Sequence, residues 1–264
     1  MFKKILKKDL KIYVPPVDSH KGDNGRLLII AGSDKYHGAL LMCAATASKL
    51  VDFVYIYTTT DNFEIIKKIR EKLAEFIYIS KKDLKETIKE VDAVLIGPGL
   101  LPDRKTKKIL KNILLNYPDK KILIDAGALR VLNKSWLHKN CILTPHKHEY
   151  KILFGEYPDP KNIKIISKNC PALIVIKGSV DYICQLGECF EHAGGNAGMT
   201  KGGTGDILSG LLAGLLTKNN TLTSAKIAVY INKKAGESLF KELGYFYSAT
   251  DLIGSIQKEL KNII

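Results

Sequence analysis

The stretch AVLIGPGLLPDRKTKKILKNILLNYPDKKILIDAG, Ala93 to Gly127, decides the fold. It opens on the apolar run Ala93–Ile96, which is too short for a buried helix and shows no polar alternation. Such a run is a strand covered on both faces. Gly97-Pro98-Gly99 stops it. From Lys105 to Asn116 the apolar residues Ile109, Leu110, Ile113 and Leu114 return at helical spacing among lysines. A second apolar run, Lys121–Asp125, follows Tyr117-Pro118-Asp119 and ends in Asp125-Ala126-Gly127. Strand, helix, strand in this order makes a parallel βαβ unit.

The pattern repeats on both sides of that unit. Strands are expected at Arg26–Ala31, Phe53–Thr58, Phe76–Ile79, Cys141–Leu143 and Leu173–Lys177. Helices are expected at Ala39–Val51, Asn62–Lys72, Leu84–Lys89, His148–Phe154 and Lys161–Lys168. An antiparallel pair, Asp181–Gln185 and Cys189–His192, turns at Gly187. The rest reads as helix: Asp206–Thr217, Thr223–Leu243 with a weak point at Gly236, and Ala249–Leu260. Caps come from Thr221-Leu222-Thr223 and from Ser248-Ala249-Thr250-Asp251. The expected fold is a three-layer α/β/α sandwich with a mostly parallel central sheet and a small antiparallel extension. No linker, repeat or low-complexity tract interrupts it, so residues 1–264 are read as one domain.

In such a sheet ligands lie beyond the carboxyl ends of the strands. Glycine and polar clusters fall at those ends: Gly32-Ser33, Gly97-Pro98-Gly99, Asp125-Ala126-Gly127, Thr144-Pro145-His146 and Lys177-Gly178. They converge with the loop GGNAGMTKGGTGDILSGLLAG, Gly194 to Gly214, in which a glycine-dense segment runs straight into an apolar helix. Glycines let the backbone approach an anion closely, and a helix start offers unpaired N–H groups and a positive dipole end. The carboxylate of Asp206 at that junction would repel a phosphate. It makes sense as the base that takes a proton from a hydroxyl attacking the phosphoryl group. The plainer reading is a capped turn with an acid favoured by the helix dipole.

Composition narrows the class. The chain has 264 residues, is 45% hydrophobic and carries a formal net charge of +14; its mean hydropathy is −0.03. No apolar run reaches the length of a membrane span, and the basic start MFKKILKKDLKIYV lacks the core of a signal peptide. A cytoplasmic protein without membrane contact is expected. The lysines are spread among acids over helical segments such as Ile65–Lys72 and Lys81–Lys89, and no nucleic-acid motif accompanies them. Nucleic acid is therefore not an expected partner. The five cysteines, Cys43, Cys141, Cys170, Cys184 and Cys189, show no metal spacing and are expected as reduced, mostly buried thiols. His146 and His148 are read as facing opposite ways, and no metal site is expected from them.

Seven strings now stand in one order: HKGDNGRLLIIAGSDKYHGA, VLIGPGL, LIDAGAL, ILTPHKHEY, IVIKGS, GGNAGMTKGGTGDILSGLLAG and ATDLI. Together they resemble the ADP/ATP-dependent NAD(P)H-hydrate dehydratases, a repair branch of the ribokinase-like superfamily. The resemblance covers nearly the whole chain; NAGM-x-x-GGTGD, TPH-x-x-E and HKG-x-x-G are specific to the branch, whereas GTGD is shared with ribokinase-like kinases. Members often carry a fused epimerase domain, and this chain looks like the stand-alone form.

The resemblance implies a reaction in which the hydroxyl of hydrated NADH or NADPH, NAD(P)HX, is phosphorylated by ADP or ATP and then leaves as phosphate. It implies Asp206 as catalytic base and Lys177, Gly178, Ser179, Val180, Asp181, Gly203, Thr204 and Gly205 around the nucleotide. It places Ala39, Gly97, Gly99, His146, Asn196 and Asp206 at NAD(P)HX. Asn196 either orders the loop or meets a phosphate. Glu149 either pairs with a lysine or holds a metal-bound water. Mg²⁺ is expected on the phosphates, with no motif fixing its protein ligands. A homo-oligomer, a tetramer in the family, and pairing with a separate NAD(P)HX epimerase are further expectations. The chain departs from the family at Leu40, at Leu101, which replaces a glycine, at Gly127, which replaces an acid, and at Lys147-His148 inside the TPH string. The rival readings are a ribokinase-like kinase of a small alcohol or vitamin precursor, of the hydroxyethylthiazole type, and a non-catalytic nucleotide or nucleic-acid binder.

Overall fold

The structure, a computed structural model, describes residues 2–67 and 74–264. In chain order its elements are β1 (Lys3–Lys4), β2 (Arg26–Ile30), α1 (His37–Ala47), β3 (Phe53–Tyr57), α2 (Thr60–Lys67), β4 (Ile77–Tyr78), α3 (Leu84–Glu90), β5 (Ala93–Ile96), α4 (Arg104–Asn116) and β6 (Lys121–Ile124). There follow α5 (Ala126–Leu129), β7 (Cys141–Leu143), α6 (Lys147–Phe154), α7 (Pro160–Asn169), β8 (Leu173–Ile176), β9 (Val180–Gln185), β10 (Glu188–Ala193), α8 (Thr204–Lys218), α9 (Thr221–Leu243) and α10 (Asp251–Lys261). Among the described residues the strands form one ten-stranded sheet in the order β1-β10-β9-β8-β7-β6-β5-β2-β3-β4. Every pairing is parallel except those of β9 with β8 and β10.

The pleat explains the three layers. Leu27 and Ile29 of β2 join one core with Leu40 and Cys43 of α1, Leu211 and Leu212 of α8, and residues of α9 and α10. Leu28 and Ile30 point the other way, into a second core with Ile88 of α3, Leu110 and Ile113 of α4, and residues of α6 and α7. The continuous apolar strand runs are thus covered on both faces. Helix α8 is buried along its length from Ile207 to Thr217. Its small residues let α1 press against it: a Cβ at Gly210 would stand 2.6 Å from the Cys43 carbonyl oxygen.

Several expectations change. The strand expected at Phe76–Ile79 shrinks to β4, an exposed edge of two residues. The distal part of the helix expected at Asn62–Lys72 lies outside the described residues. Helix α9 is capped not by Thr221 but by Asn220, whose side chain accepts the Thr223 N–H at 2.8 Å. At α10 no side chain caps from Thr250; instead Asp251 reaches back to the Ser248 N–H at 2.6 Å. Neither β1 nor α5 was expected: Lys-Lys carries no strand pattern, and α5 is one short turn imposed by the chain's reversal after β6.

The cysteine expectation holds for Cys43, Cys141 and Cys170, which are buried free thiols. It fails for Cys184 and Cys189, which form a disulfide. The cause is register: they sit directly opposite each other on β9 and β10, so their side chains share one face of the hairpin.

Candidate functional site

A cavity of about 530 Å³ opens at the carboxyl end of β8, between the β8–β9 turn, the loop after β10, the start of α8, and α9. Lys177, Gly178, Ser179, Asp181, Asn196, Thr204 and Gly205 line it. Val180, Gly203 and Asp206 do not appear in its lining, though each adjoins residues that do. Short-range order and long-range ion pairs together shape this wall. Asp181, 3% exposed, accepts the Gly178 N–H at 2.7 Å and closes the turn on itself.

The start of α8 is set by Gly203, the N-cap residue, at φ +97°. A side chain there would be strained, and its Cβ would stand 2.2 Å from the Met42 sulfur. Ile207 N–H is the first to close an α-helical bond, onto the Gly203 carbonyl at 3.0 Å. The Thr204 N–H turns back to the Lys201 carbonyl at 3.3 Å, and the Thr204 hydroxyl to that of Met199 at 2.7 Å. Among the described residues, the N–H groups left unpaired at the helix start are therefore those of Gly205 and Asp206 rather than Thr204. The Asp206 carboxyl is pushed up to about 6 by burial, helped by the nearby Asp125 carboxylate and opposed by Lys177.

Lys177 is not a free rim lysine. Its Nζ donates to Asp125 Oδ1 at 2.7 Å, with the aspartate side chain 2% exposed. The other oxygen, Asp125 Oδ2, accepts the Ser209 hydroxyl at 2.6 Å. Burial alone would raise the Asp125 carboxyl, but the charge and hydrogen bond of Lys177 hold it below the usual range. Burial would lower the Lys177 ammonium, but Asp125 and Glu149 hold it above its usual value. The pair is ionised, and it ties the end of β8 to the end of β6 and to α8. A Cβ at Gly205 would lie 3.9 Å from the Lys177 ammonium, so this charge sits at the helix start. Glu149 is also buried, and burial raises its carboxyl against the pull of Lys177.

Ala39, Gly97, Gly99 and His146 lie outside the cavity lining. The first three meet at the carboxyl ends of β2 and β5. A Cβ at Gly99 would stand 2.8 Å from that of Ala39, and one at Gly97 only 1.8 Å from the Asp125 carbonyl oxygen. The departures of the sequence fit here: Gly127 lies so close to the Leu100 carbonyl that a Cβ would come within 1.9 Å of its oxygen. Leu101 beside it is 38% exposed.

His146 caps α6. Its Nδ1 accepts the N–H groups of His148 and Glu149 at 3.1 and 3.3 Å, and Glu149 returns a bond to the His146 N–H at 2.9 Å. The two histidines do not face opposite ways, because they sit at a helix start rather than on a strand; their rings stand edge to face 6.1 Å apart. Among the described residues no three His, Cys, Asp or Glu side chains are placed to hold a metal.

Asn196 orders the loop. Its amide donates to the Gly236 carbonyl at 2.7 Å, and its oxygen accepts the Gly198 N–H and the Tyr247 hydroxyl at 2.9 and 2.7 Å. The weak point at Gly236 has its reason in the same place: a Cβ would meet the Met199 sulfur at 2.3 Å. Sequence reasoning missed Ser209, Asn232 and Lys233, and it did not pair Asp125 with Lys177. Asp125 stood at a strand end and was findable there; Asn232 and Lys233 lie inside a helix with no motif around them.

Residues 27–258 match the family described as NAD(P)H-hydrate dehydratase. The chain is 38% identical over 92% of its length to the bifunctional NAD(P)H-hydrate repair enzyme Nnr of Methanocaldococcus jannaschii, of which it spans 50%. It is 32% identical to the ADP-dependent (S)-NAD(P)H-hydrate dehydratase of Cenarchaeum symbiosum, with 96% of this chain and 95% of that one covered. Its fold is that of the crystal structure of the ADP/ATP-dependent NAD(P)H-hydrate dehydratase from Bacillus subtilis, co-crystallised with ATP and Mg²⁺ and soaked with CoA. That match has a TM-score of 0.83 and 24% identity and covers 100% of this chain and 99% of that one. With a ribokinase-like sandwich, a glycine-fronted helix start and a family match over most of its length, the chain belongs to the NAD(P)H-hydrate dehydratase family.

Proposed function

We propose that this protein restores NADH and NADPH from their hydrated forms at the expense of ADP or ATP. The observation that carries the reading is Asp206, a carboxylate lifted to about 6, at a helix start whose free N–H groups and neighbouring Lys177 ammonium suit a phosphoryl group. At neutral pH such a carboxylate is ionised and a stronger base than an ordinary aspartate. It takes the proton of the ring hydroxyl as the hydroxyl oxygen attacks the terminal phosphorus of the nucleotide. The Gly205 N–H and Lys177 meet the charge on the transferring oxygens. AMP leaves when ADP is the donor. The carbon–oxygen bond of the new ester then breaks toward phosphate, driven by the ring nitrogen's lone pair. Loss of a proton from the adjacent carbon restores the double bond. The nucleotide lies along Lys177–Asp181, and the damaged ring lies toward Ala39, Gly97, Gly99 and His146.

Mg²⁺ belongs to the same reading. When bound it neutralises charge on the phosphates. A cytoplasmic homo-oligomer, served by an epimerase that interconverts the hydrate's epimers, completes the proposal; the relative from Methanocaldococcus jannaschii is named as bifunctional.

The test is absorbance at 340 nm after mixing the protein with freshly hydrated NADH, Mg²⁺ and ADP or ATP. A nucleotide-dependent rise is expected, and the faster nucleotide is the donor. No rise with either nucleotide overturns the reading. Formation of a stable phosphate ester from a small alcohol would replace it with the kinase.

A further inference from the structure

Lys233 of α9 is a buried cation with no part in the reaction above; its side chain is 7% exposed. Its Nζ donates to the carbonyl oxygens of Gly178 and Ser179 at 2.5 and 3.2 Å. The nearest carboxylate, Asp181 Oδ1, is 3.6 Å away, beyond hydrogen-bond distance. An ammonium has three donors. Two are engaged by main-chain oxygens, and the third has no partner at bonding distance.

Lys233 lines the same cavity as Lys177. The two lysines differ in how they are matched. Lys177 has a carboxylate at 2.7 Å, whereas the Asp181 carboxylate paired with Lys233 stands farther off, at 3.6 Å. Burial raises the Asp181 carboxyl even against the pull of Lys233, so the anion opposite Lys233 is itself poorly solvated. The loop glycines close over the lysine stem: a Cβ at Gly195 would stand 3.1 Å from Lys233 Cδ and 3.9 Å from Nζ. The neighbouring Asn232 also lines the cavity, is 5% exposed, and has an Oδ1 without a partner among the described residues. This wall of α9 therefore carries polar capacity that the protein's own groups leave unused. A buried ammonium so loosely matched has capacity for a further anionic partner.

We propose that Lys233 is a second nucleotide-binding lysine, whose ammonium meets phosphate oxygens of a nucleoside di- or triphosphate while it holds the Gly178–Ser179 backbone in place. The inference rests on the reading of this cavity as the nucleotide site. It separates two roles that a single loss of activity would confuse. A phosphate contact strengthens binding in proportion to the phosphates present. A backbone clamp supports every ligand of the turn alike, adenosine included.

The experiment is calorimetric titration of adenosine, AMP, ADP and ATP into the intact protein and into Lys233→Met. The intact protein is expected to bind more tightly with each added phosphate. In Lys233→Met the affinity for ADP and ATP should fall by about 10- to 100-fold more than that for adenosine, the scale of one charge-assisted contact beyond the loss of the clamp. Equal losses for adenosine and ADP would overturn the proposal and leave only the clamp. Should Lys233→Met fail to fold, Asp181→Asn provides an independent reading. Releasing the lysine from its carboxylate should widen the gap between ADP and adenosine, and a gap unchanged or narrowed would overturn the proposal. An intact protein that binds no adenine nucleotide would instead remove the reading of the cavity on which it rests.

Discussion

Around Gly97, Gly99 and Ala39 the chain is held by backbone pressed on backbone, whereas around Lys177 and Lys233 it is held by buried charge. The first region's own residues carry no charge, and its shape follows from glycines that leave no room for a Cβ, with Gly97 seated on the Asp125 backbone. The second joins β6, β8, α8 and α9 through Asp125, Lys177, Ser209, Asp181 and Lys233. A close-packed region is rigid and tolerates no added atom, and such surfaces suit a ligand bound by shape. A charged region stores electrostatic energy in a dry setting and responds strongly when an anion enters or a partner is removed.

The contrast can be broken most severely at Asp206. Asp206→Asn should lower turnover by about 10²–10⁴-fold while nucleotide binding is kept, measured at 340 nm and by titration calorimetry. Full activity in that variant would end the assignment of the base. Next in size, Asp125→Asn leaves the Lys177 ammonium buried without its carboxylate. It should cost about 3–5 kcal/mol in urea unfolding, and Asp125→Leu combined with Lys177→Met should cost much less than Asp125→Asn alone. If the double variant is as unstable as the single one, charge is not what holds that side.

Gly97→Ala probes the other side. Its Cβ would meet the Asp125 carbonyl oxygen at φ +129°, and a loss of about 3 kcal/mol is expected from strain and displacement together. A neutral result would show that the glycine junction can shift. The smallest effect sharpens the electrostatic account. Asp206 titrates at about 6 in the folded chain against its ordinary 3.8. Its contribution to stability is therefore present below 3.8 and lost as pH rises through about 6. Asp206→Asn should thus melt a few degrees higher than the native protein above pH 6 and gain nothing near pH 3.5. The same titration predicts an acid limb near pH 6 in kcat/KM, because the base must be ionised.

The parts of this molecule that were legible in the sequence are those written locally. The apolar runs marked β2 and β5 as strands covered on both faces, and the glycine loop with Asp206 marked the start of α8 within two residues. What escaped reading depends on residues far apart in the chain. Lys177 finds Asp125 across 52 positions, and Lys233 reaches Gly178 across 55. No periodicity encodes such a partner, because the sheet order alone brings the two ends together. The Cys184–Cys189 bond was missed for a different reason. An odd number of cysteines argues for thiols, and it is the exact register of the hairpin that sets those two side by side.

The edge of the sheet ties the beginning of the chain to its last strand. Lys3 and Lys4 pair with Phe190 and Glu191, and Lys3 reaches Glu188 across 185 positions. At a synthesis rate of about 5–20 residues per second, the first strand waits about 10–40 s for its partner to be made. Ile5, buried in the finished molecule, donates its N–H to the Glu191 carbonyl and so waits for β10 as well. Until Lys3 and Lys4 dock, β10 presents a bare strand edge to its neighbours in the cell.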